Sequence, residues 1–347
     1  MQLSKKELKR YSHQIILPNI TKGGQEKLCK ASVTVIGLGA LGSIISNNLA
    51  RAGVGNIKLV DRDVVELDNL HRQILYTEDL IGEPKAVTAA EQLERINQDV
   101  KLIPIVKDVN FSTIDSIITT SEVILDGTDN LETRFLINDY SVKKRIPWIY
   151  GGVVGTQGMS MNIMPNQLIK NKMGPCFRCI VAEIPMPGSL PTCDTYGILN
   201  TVPIIIGSIQ STEAIKLILG SSDINRKLLY FDVWSHEFRE LEIVKNESCK
   251  CCVQHDFEYL NVKKRTIITT LCGSEMVQIT PVKAGNLPLL ELEKKLAQVG
   301  RVKKSKLTLE FNIEGYKITL FSDGRALIKG TKNENVAKSL YMRYIGN

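Results

Sequence analysis

The 347-residue sequence contains nothing close to the roughly 18 uninterrupted apolar residues of a membrane span. Its longest apolar run, Val202 to Ile209, is broken by Pro203, Gly207 and Ser208. The N-terminus (MQLSKKELKRYSHQ) lacks the apolar segment of a secretory signal, so a cytoplasmic location is expected, with neither a membrane nor a nucleic-acid partner. Cysteine is scarce as well. Eight cysteines (29, 176, 179, 193, 249, 251, 252 and 272) are too few for a disulfide scaffold at this length. In a cytosolic chain, paired CxxC spacings point to metal or redox chemistry instead. Repeats and low-complexity tracts are missing too. A composition of 43% hydrophobic and 23% charged residues suits a globular chain with a sizeable core.

The net charge of +7 is unevenly spread. Residues 262 to 347 carry 16 lysines and arginines against 7 aspartates and glutamates, a surplus of +9, which leaves −2 for the rest. A charge break at one point suggests a domain boundary. A large domain over 1–255 and a small basic α+β domain over 263–347 are expected. Acidic partners and a merely solvated lysine-rich surface are both open for the latter.

Short β-branched runs alternate with helical patterns through the first half. Strands are expected at Ala31–Ile36, Ile57–Val60, Lys101–Val106, Val123–Leu125 and Trp148–Gly151. Helices are expected at Ala40–Ala52, Pro84–Ile96, Ser112–Thr120 and Leu131–Lys144. Before them come a helix, an extended piece (IILPNI) and a second helix ending near Lys30. This alternation predicts an α/β fold, a doubly wound and mostly parallel sheet. MSMNIM, LLYFDV and FRELEIV fit an antiparallel extension of it, with a helix at Thr201–Leu219. The proline-rich stretch from Ile180 to Gly197 reads as a loop or lid. In the small domain, strands are expected at RTIITTL, LTLEFNI, YKITLF and RALIKG, with helices near Leu289–Val299 and Asn335–Arg343.

Gly37-Leu38-Gly39-Ala40-Leu41-Gly42 ends the first strand and opens a helix. Glycines there let the backbone approach a phosphate, and the helix N-terminus offers unpaired N–H groups. Asp61 closes the second strand, 24 residues after Gly37, where an acidic side chain bonds ribose hydroxyls. The motif indicates a nucleotide without choosing between NAD and ATP. Asp61-Arg62-Asp63, then Asn69-Leu70-His71-Arg72-Gln73, then Lys85 favour a polyphosphate, because the basic pair neutralises charge developing at phosphorus. Asp126 and Asp129, in LDGTDN, close the fourth strand where a carboxylate is suited to hold Mg²⁺.

GLGALG, VDRDVVELDNLHRQ, Gly82-Glu83-Pro84-Lys85 and LDGTDN closely resemble the MoeB/ThiF adenylyltransferases, relatives of ubiquitin-activating enzymes, from about Arg10 to Cys252. The resemblance implies a Rossmann-like ThiF-type fold, a homodimer and ATP held by Gly37, Gly39, Leu41 and Gly42. It places Asp61 on the ribose and Arg72, Gln73 and Lys85 at the triphosphate, with Asp63 and Asn69 among the residues that bind the nucleotide. Asp129, beside Asn130, falls at Mg²⁺. The implied substrate is a ubiquitin-fold sulfur-carrier protein ending in Gly-Gly, adenylated at its last carboxylate for molybdopterin or thiamine synthesis. One position departs from the pattern: His13, in Tyr11-Ser12-His13-Gln14-Ile15, stands where the family carries an arginine reaching the neighbouring subunit's ATP.

Cys176-x-x-Cys179 and Cys249-x-x-Cys252 suit tetrahedral zinc, each two-residue spacer letting both thiolates of a pair bind one ion. Four free thiols or a redox pair is the other reading. Cys251 as ligand would leave a cramped one-residue spacer. Cys193, in the proline-rich loop, is a candidate nucleophile, and an equally open reading gives it no mechanistic weight. Cys29 and Cys272 read as small hydrophobes. The small domain has no rhodanese-like cysteine loop, so sulfur is expected from a separate donor protein. An NAD-linked oxidoreductase and a catalytically weak nucleotide-binding scaffold remain as alternative functions.

Overall fold

The computed structural model describes residues 2–169, 172–183, 197–260, 267–271, 275–280, 287–298, 300–313 and 315–345. The chain divides into two compact units. The first takes residues up to Val262 apart from Gly82–Pro84 and Met186–Gly197; these two segments and Lys263–Asn347 make the second.

The first unit begins with α1 (Lys5–Arg10), α2 (Ser12–Ile15) and α3 (Thr21–Leu28). It continues through β1 (Ser32–Ile36), α4 (Ala40–Ala52), β2 (Asn56–Val60), α5 (Lys85–Ile96) and β3 (Lys101–Ile105). Then come α6 (Ile114–Ile118), β4 (Val123–Asp126), α7 (Leu131–Lys144), β5 (Trp148–Val154) and β6 (Gln157–Ile163). A small hairpin, β7 (Leu168–Ile169) and β8 (Lys172–Met173), leads to α8 (Phe177–Ile180). The unit closes with α9 (Thr201–Leu219), β9 (Leu228–Asp232) and β10 (Glu237–Leu241).

Eight strands form one sheet in the order β10-β9-β6-β5-β4-β1-β2-β3. β3, β2, β1, β4 and β5 run parallel, and β6, β9 and β10 extend the sheet antiparallel. Successive residues of a strand face opposite sides, and β1 shows the consequence. Val33 and Val35 enter a core shared with α4, α5 and α9, whereas Ile36 belongs to a second core with α6, α7 and α8. Helices thus cover both faces, which is why these strands read as unbroken β-branched runs. The chain leaves β1 towards β2 on one side and reaches β4 on the other. The crevice between β1 and β4 is therefore the topological switch point, where open α/β sheets bind ligands.

α9 is, among the described residues, the helix long and apolar enough to cross a membrane. One side of it lies in the core: Val202, Ile206 and Ala214 are fully buried, and a Cβ built on Gly207 would sit 2.9 Å from Ile44, whereas Ile204 is exposed. The expected extended piece IILPNI is instead a run of turns. Leu17, Ile20 and Thr21 donate to the carbonyls of Gln14, Leu17 and Leu17, so this backbone satisfies itself locally with no strand beside it.

The second unit is a six-stranded antiparallel sheet in the order β11-β12-β16-β15-β14-β13. The strands are β11 (Ile267–Thr270), β12 (Met276–Thr280), β13 (Arg301–Lys304), β14 (Thr308–Ile313), β15 (Tyr316–Phe321) and β16 (Ala326–Lys329). Helices α10 (Leu289–Leu296) and α11 (Glu334–Tyr344) complete it, and Leu309, Phe311, Ile318, Leu320 and Ile328 form its dry centre. β12 and β13 go beyond the sequence reading. β13 (RVKK) is an edge strand with charged side chains exposed, a pattern that guards an open edge and hides the strand from hydrophobic periodicity. Cys272 lies outside the described residues.

Candidate functional site

The turn after β1 is built by close backbone approach. Gly37 has φ +83°, and a Cβ on it would sit 2.6 Å from the carbonyl oxygen of Gly127. A Cβ on Gly42 would sit 1.8 Å from the carbonyl oxygen of Gly37. Only glycine fits such contacts without moving backbone. The first glycine turn and the LDGTDN turn after β4 are thereby pressed together across the switch point, at the N-terminus of α4. Leu41 is buried in the core behind the turn, so only its backbone is placed to serve a phosphate.

Asp61, at the end of β2, ties this turn down. Its Oδ2 accepts from the Leu38 N–H (2.6 Å) and its Oδ1 from the Asp63 N–H (2.8 Å). Burial pushes its carboxyl above the usual carboxylate range, helped by Asp63 and opposed by Lys85 and the two backbone donors. Tyr76 completes the wall, its hydroxyl donating to the Leu38 carbonyl at 2.9 Å.

Asn69 and Gln73, in the segment that follows, are buried. Among the described residues, Asn69 Oδ1 and Gln73 Oε1 have no hydrogen-bond partner, although buried polar atoms almost always do; Asp63 Oδ1 faces Arg62 Nε at 3.7 Å. Gln73 borders the glycine turn, its Nε2 lying 3.7 Å from where a Cβ on Gly39 would be. Arg72 is half-buried, and its Nη1 donates to the Asp68 carbonyl (2.7 Å) and meets His71 Nε2 (2.7 Å). Lys85 is buried at the start of α5, with its N–H donating to the Asp63 carbonyl. The segment that borders the glycine turn thus carries two buried oxygens without partners among the described residues, which suits a polar ligand such as a nucleotide.

On the other side of the crevice, Asp126 is fully buried. It accepts from the Thr128 N–H and hydroxyl and pairs with Arg134 Nε at 3.1 Å. Burial still holds its carboxyl above the usual range, because Arg134 and Thr128 offset only part of the desolvation. Arg134 also donates to the carbonyls of Thr128 (2.6 Å) and Gly151 (2.9 Å), fixing the turn from within. Gln210 of α9 donates to the Asp126 carbonyl. Asp129 is exposed on the tip, close enough to Arg62 and Arg134 to help raise both guanidinium groups. Its neighbour Asn130 caps α7 by accepting from Thr133.

Gly127, Arg134 and Gln210 went unrecognised in the sequence. Arg134 sits one turn after the cap of α7, a spacing compatible with reaching the preceding strand end; nothing in sequence flags Gln210, 84 residues from Asp126. His13 is exposed on α2, a short helix anchored by Gln14, which donates to Gln25 (2.6 Å) and the Ala52 carbonyl (3.0 Å). Cys193 lies outside the described residues.

Away from the crevice, Cys176, Cys179, Cys249 and Cys252 bring four sulfurs within 4.8 Å of one another. Cys176 and Cys249 are 3.7 Å apart and Cys179 and Cys252 3.6 Å. Tetrahedral zinc with Zn–S of about 2.3 Å requires sulfurs roughly 3.8 Å apart, so the four thiols fit that ion. Hydrogen bonding from Cys176 holds the Cys179 and Cys249 thiols below the usual thiol range. Cys251 is buried and not one of the four, bonded to Asp139 and Asn138 and also to Cys176.

The ThiF family pattern matches residues 11–253. The Bacillus subtilis (strain 168) protein named sulfur carrier protein ThiS adenylyltransferase is 38% identical over 342 residues, covering 97% of this chain and 99% of its own. A Thermus thermophilus protein named sulfur carrier protein adenylyltransferase is 36% identical over 253 residues, 73% of this chain and 93% of its own. Among solved structures, E. coli MccB with MccA-N7isoASN superposes with a TM-score of 0.61 at 20% identity, over 72% of this chain and 75% of that one, a likeness of fold. A match spanning the whole sheet, its switch-point crevice and the cysteine cluster leaves one conclusion: the chain belongs to the ThiF family.

Proposed function

We propose that this enzyme uses Mg-ATP to adenylate the C-terminal glycine carboxylate of a ubiquitin-fold sulfur-carrier protein. The observation that carries this is the pair of buried oxygens of Asn69 and Gln73, unpartnered among the described residues, beside a glycine turn that only glycine can form. The names of its relatives supply the reaction class. Similarity to a ThiS adenylyltransferase runs past residue 253 and through nearly the whole chain, which favours a thiamine-type carrier over a molybdopterin-type one. The oxidoreductase reading has no such support and is set aside.

In this reading Gly37, Gly39 and Gly42, with the Leu41 backbone, cradle phosphate at the N-terminus of α4. Asp61, through lone pairs its backbone donors leave free, meets the ribose, with Asp63 and Asn69 nearby. A carboxylate oxygen of the carrier attacks the α-phosphorus in line; that bond forms as the bond to the pyrophosphate oxygen breaks. Arg72, Gln73 and Lys85 take up the charge released on pyrophosphate. Asp129 would hold Mg²⁺, which when bound screens the phosphate oxygens, with Asn130 beside it at the nucleotide. The four-cysteine set would hold zinc as a structural staple. A homodimer is part of the proposal, with His13 offered to the partner subunit's nucleotide, as is a separate protein that donates sulfur.

ATP–pyrophosphate exchange with Mg²⁺ and each of two Gly-Gly-ending carriers is the test. Exchange that depends on the thiamine-type carrier is expected. No exchange with either carrier, from folded and zinc-loaded protein, would overturn the proposal.

A further inference from the structure

Helix α7 joins the two sites. At its N-terminal end, Asn130 caps it directly after Asp129, and Arg134 grips Asp126 and the Thr128 carbonyl. One turn further on, Asn138 is completely buried. Its Nδ2 donates to Cys176 Sγ (3.7 Å) and Cys251 Sγ (3.2 Å), and its Oδ1 accepts from the Phe177 N–H (2.9 Å). One carboxamide therefore holds a sulfur and the backbone of the first CxxC knuckle, and the thiol of Cys251, which lies between the two cysteines of the second. Asp139 adds to the grip, accepting from the Tyr259 N–H (3.2 Å) and lying 3.6 Å from Arg178. Phe135 stacks edge-on against Phe177 at 5.8 Å. Eight residues of helix, about 12 Å of rise, separate Asn130 from Asn138.

N–H groups donated to cluster sulfurs stabilise thiolates over thiols and orient them, as outer partners of metal ligands generally do. A helix is stiff along its axis, so whatever fixes its middle also fixes the turn at its start.

We propose that Asn138 is a positioning residue: its carboxamide locks α7 onto the four-cysteine cluster, so that the order of the cluster is transmitted to the Asp129 turn. This rests on reading the cluster as a zinc site and Asp129 as part of the nucleotide site. Asn138→Asp keeps the acceptor for Phe177 and replaces the donor to sulfur with an oxygen that repels thiolate.

The test compares zinc-loaded full-length wild type and Asn138→Asp by two readouts that need no nucleotide. Zinc release to a chromogenic chelator should be roughly 10- to 100-fold faster in the variant. Amide hydrogen exchange over residues 128–134 should also be faster, as it should in wild type stripped of zinc. Equal release rates would overturn the proposal; so would faster release with unchanged exchange at 128–134. Should the variant not fold, cadmium-substituted wild type decides. A through-hydrogen-bond coupling between ¹¹³Cd and the Asn138 side-chain amide protons is expected, and its absence counts against the proposal. Failure of the adenylation reading shows separately, as missing pyrophosphate exchange in zinc-loaded wild type.

Discussion

Gly37 and Gly127 lie back to back across the switch point, so close that a Cβ on Gly127 would stand 2.3 Å from the Gly37 carbonyl oxygen. Neither partner is a side chain that can swing away. Gly127→Ala must therefore push the glycine turn and the Asp126–Asn130 turn apart. A loss of about 1–3 kcal/mol in stability is expected, with nucleotide affinity falling at least tenfold. Titration of a non-hydrolysable ATP analogue alongside thermal melting checks both; wild-type affinity would show that the contact does not shape the site.

Arg72→Ala and Asp129→Ala should behave differently from that. The Arg72 guanidinium bonds only near neighbours in sequence, the Asp68 carbonyl and the His71 ring, and Asp129 is exposed. Their removal should leave the melting temperature within a degree or two while exchange activity drops roughly 100-fold or more. A large loss of stability in either would move that residue from chemistry to architecture.

Gln73→Leu separates binding from folding in the opposite sense. The Gln73 Oε1 is buried without a partner among the described residues, so replacing it by an apolar side chain removes a desolvated acceptor. The free protein should be as stable as wild type or more so, and ATP should bind at least tenfold more weakly. Weakened folding with unchanged ATP affinity is the contrary result.

Arg134→Met makes stability depend on pH. Burial already holds Asp126 above the usual carboxylate range in spite of Arg134, and losing the guanidinium raises it further. An acid raised on folding stabilises the native state below its unfolded value, near 3.8. That contribution is lost as pH climbs through the folded value. The variant's deficit should thus be largest at pH 8, about 3–5 kcal/mol, and smaller at pH 5, where the hydrogen bonds to Thr128 and Gly151 still count. Denaturant unfolding at the two pH values measures it; a deficit that is flat or larger at pH 5 contradicts this.

Cys251→Ser and Cys252→Ser discriminate neighbours in sequence. Of the two, Cys252 belongs to the four sulfurs within reach of one ion, whereas Cys251 bonds Asp139, Asn138 and the Cys176 thiol. Elemental analysis should find about one zinc per chain in the Cys251 variant and substantially less in the Cys252 variant. Equal retention in both would show that the two thiols exchange places.

Much was readable before any coordinates. Alternating β-branched runs and helical patterns follow from periods of 2 and 3.6, and they placed all five parallel strands and the helices between them. GLGALG, Asp61 and the paired CxxC spacings are local patterns whose chemistry depends on neighbours in sequence. The run IILPNI shows the limit of such reading. Its apolar residues suggested an extended segment, yet Ile16 is 75% exposed and the backbone closes on itself in turns. Whether an apolar run becomes a strand depends on a neighbouring strand to accept its hydrogen bonds, which no local window contains. β13 fails in the reverse direction, since pairing with β14 makes a strand of a charged tetrapeptide.

Most of the elements, the glycine turn, the acidic and basic residues at the strand ends and the two pairs of evenly spaced thiols could be read directly, because each is encoded within a few consecutive residues. Tertiary structure decided which of these meet. It set Gly127 against Gly37, gave Asp126 its partner in Arg134, left Asn69 and Gln73 with unsatisfied oxygens, and chose Cys252 over Cys251. Those outcomes depend on backbone approach and desolvation between segments tens of residues apart, which exist only once the sheet has assembled and closed its crevice.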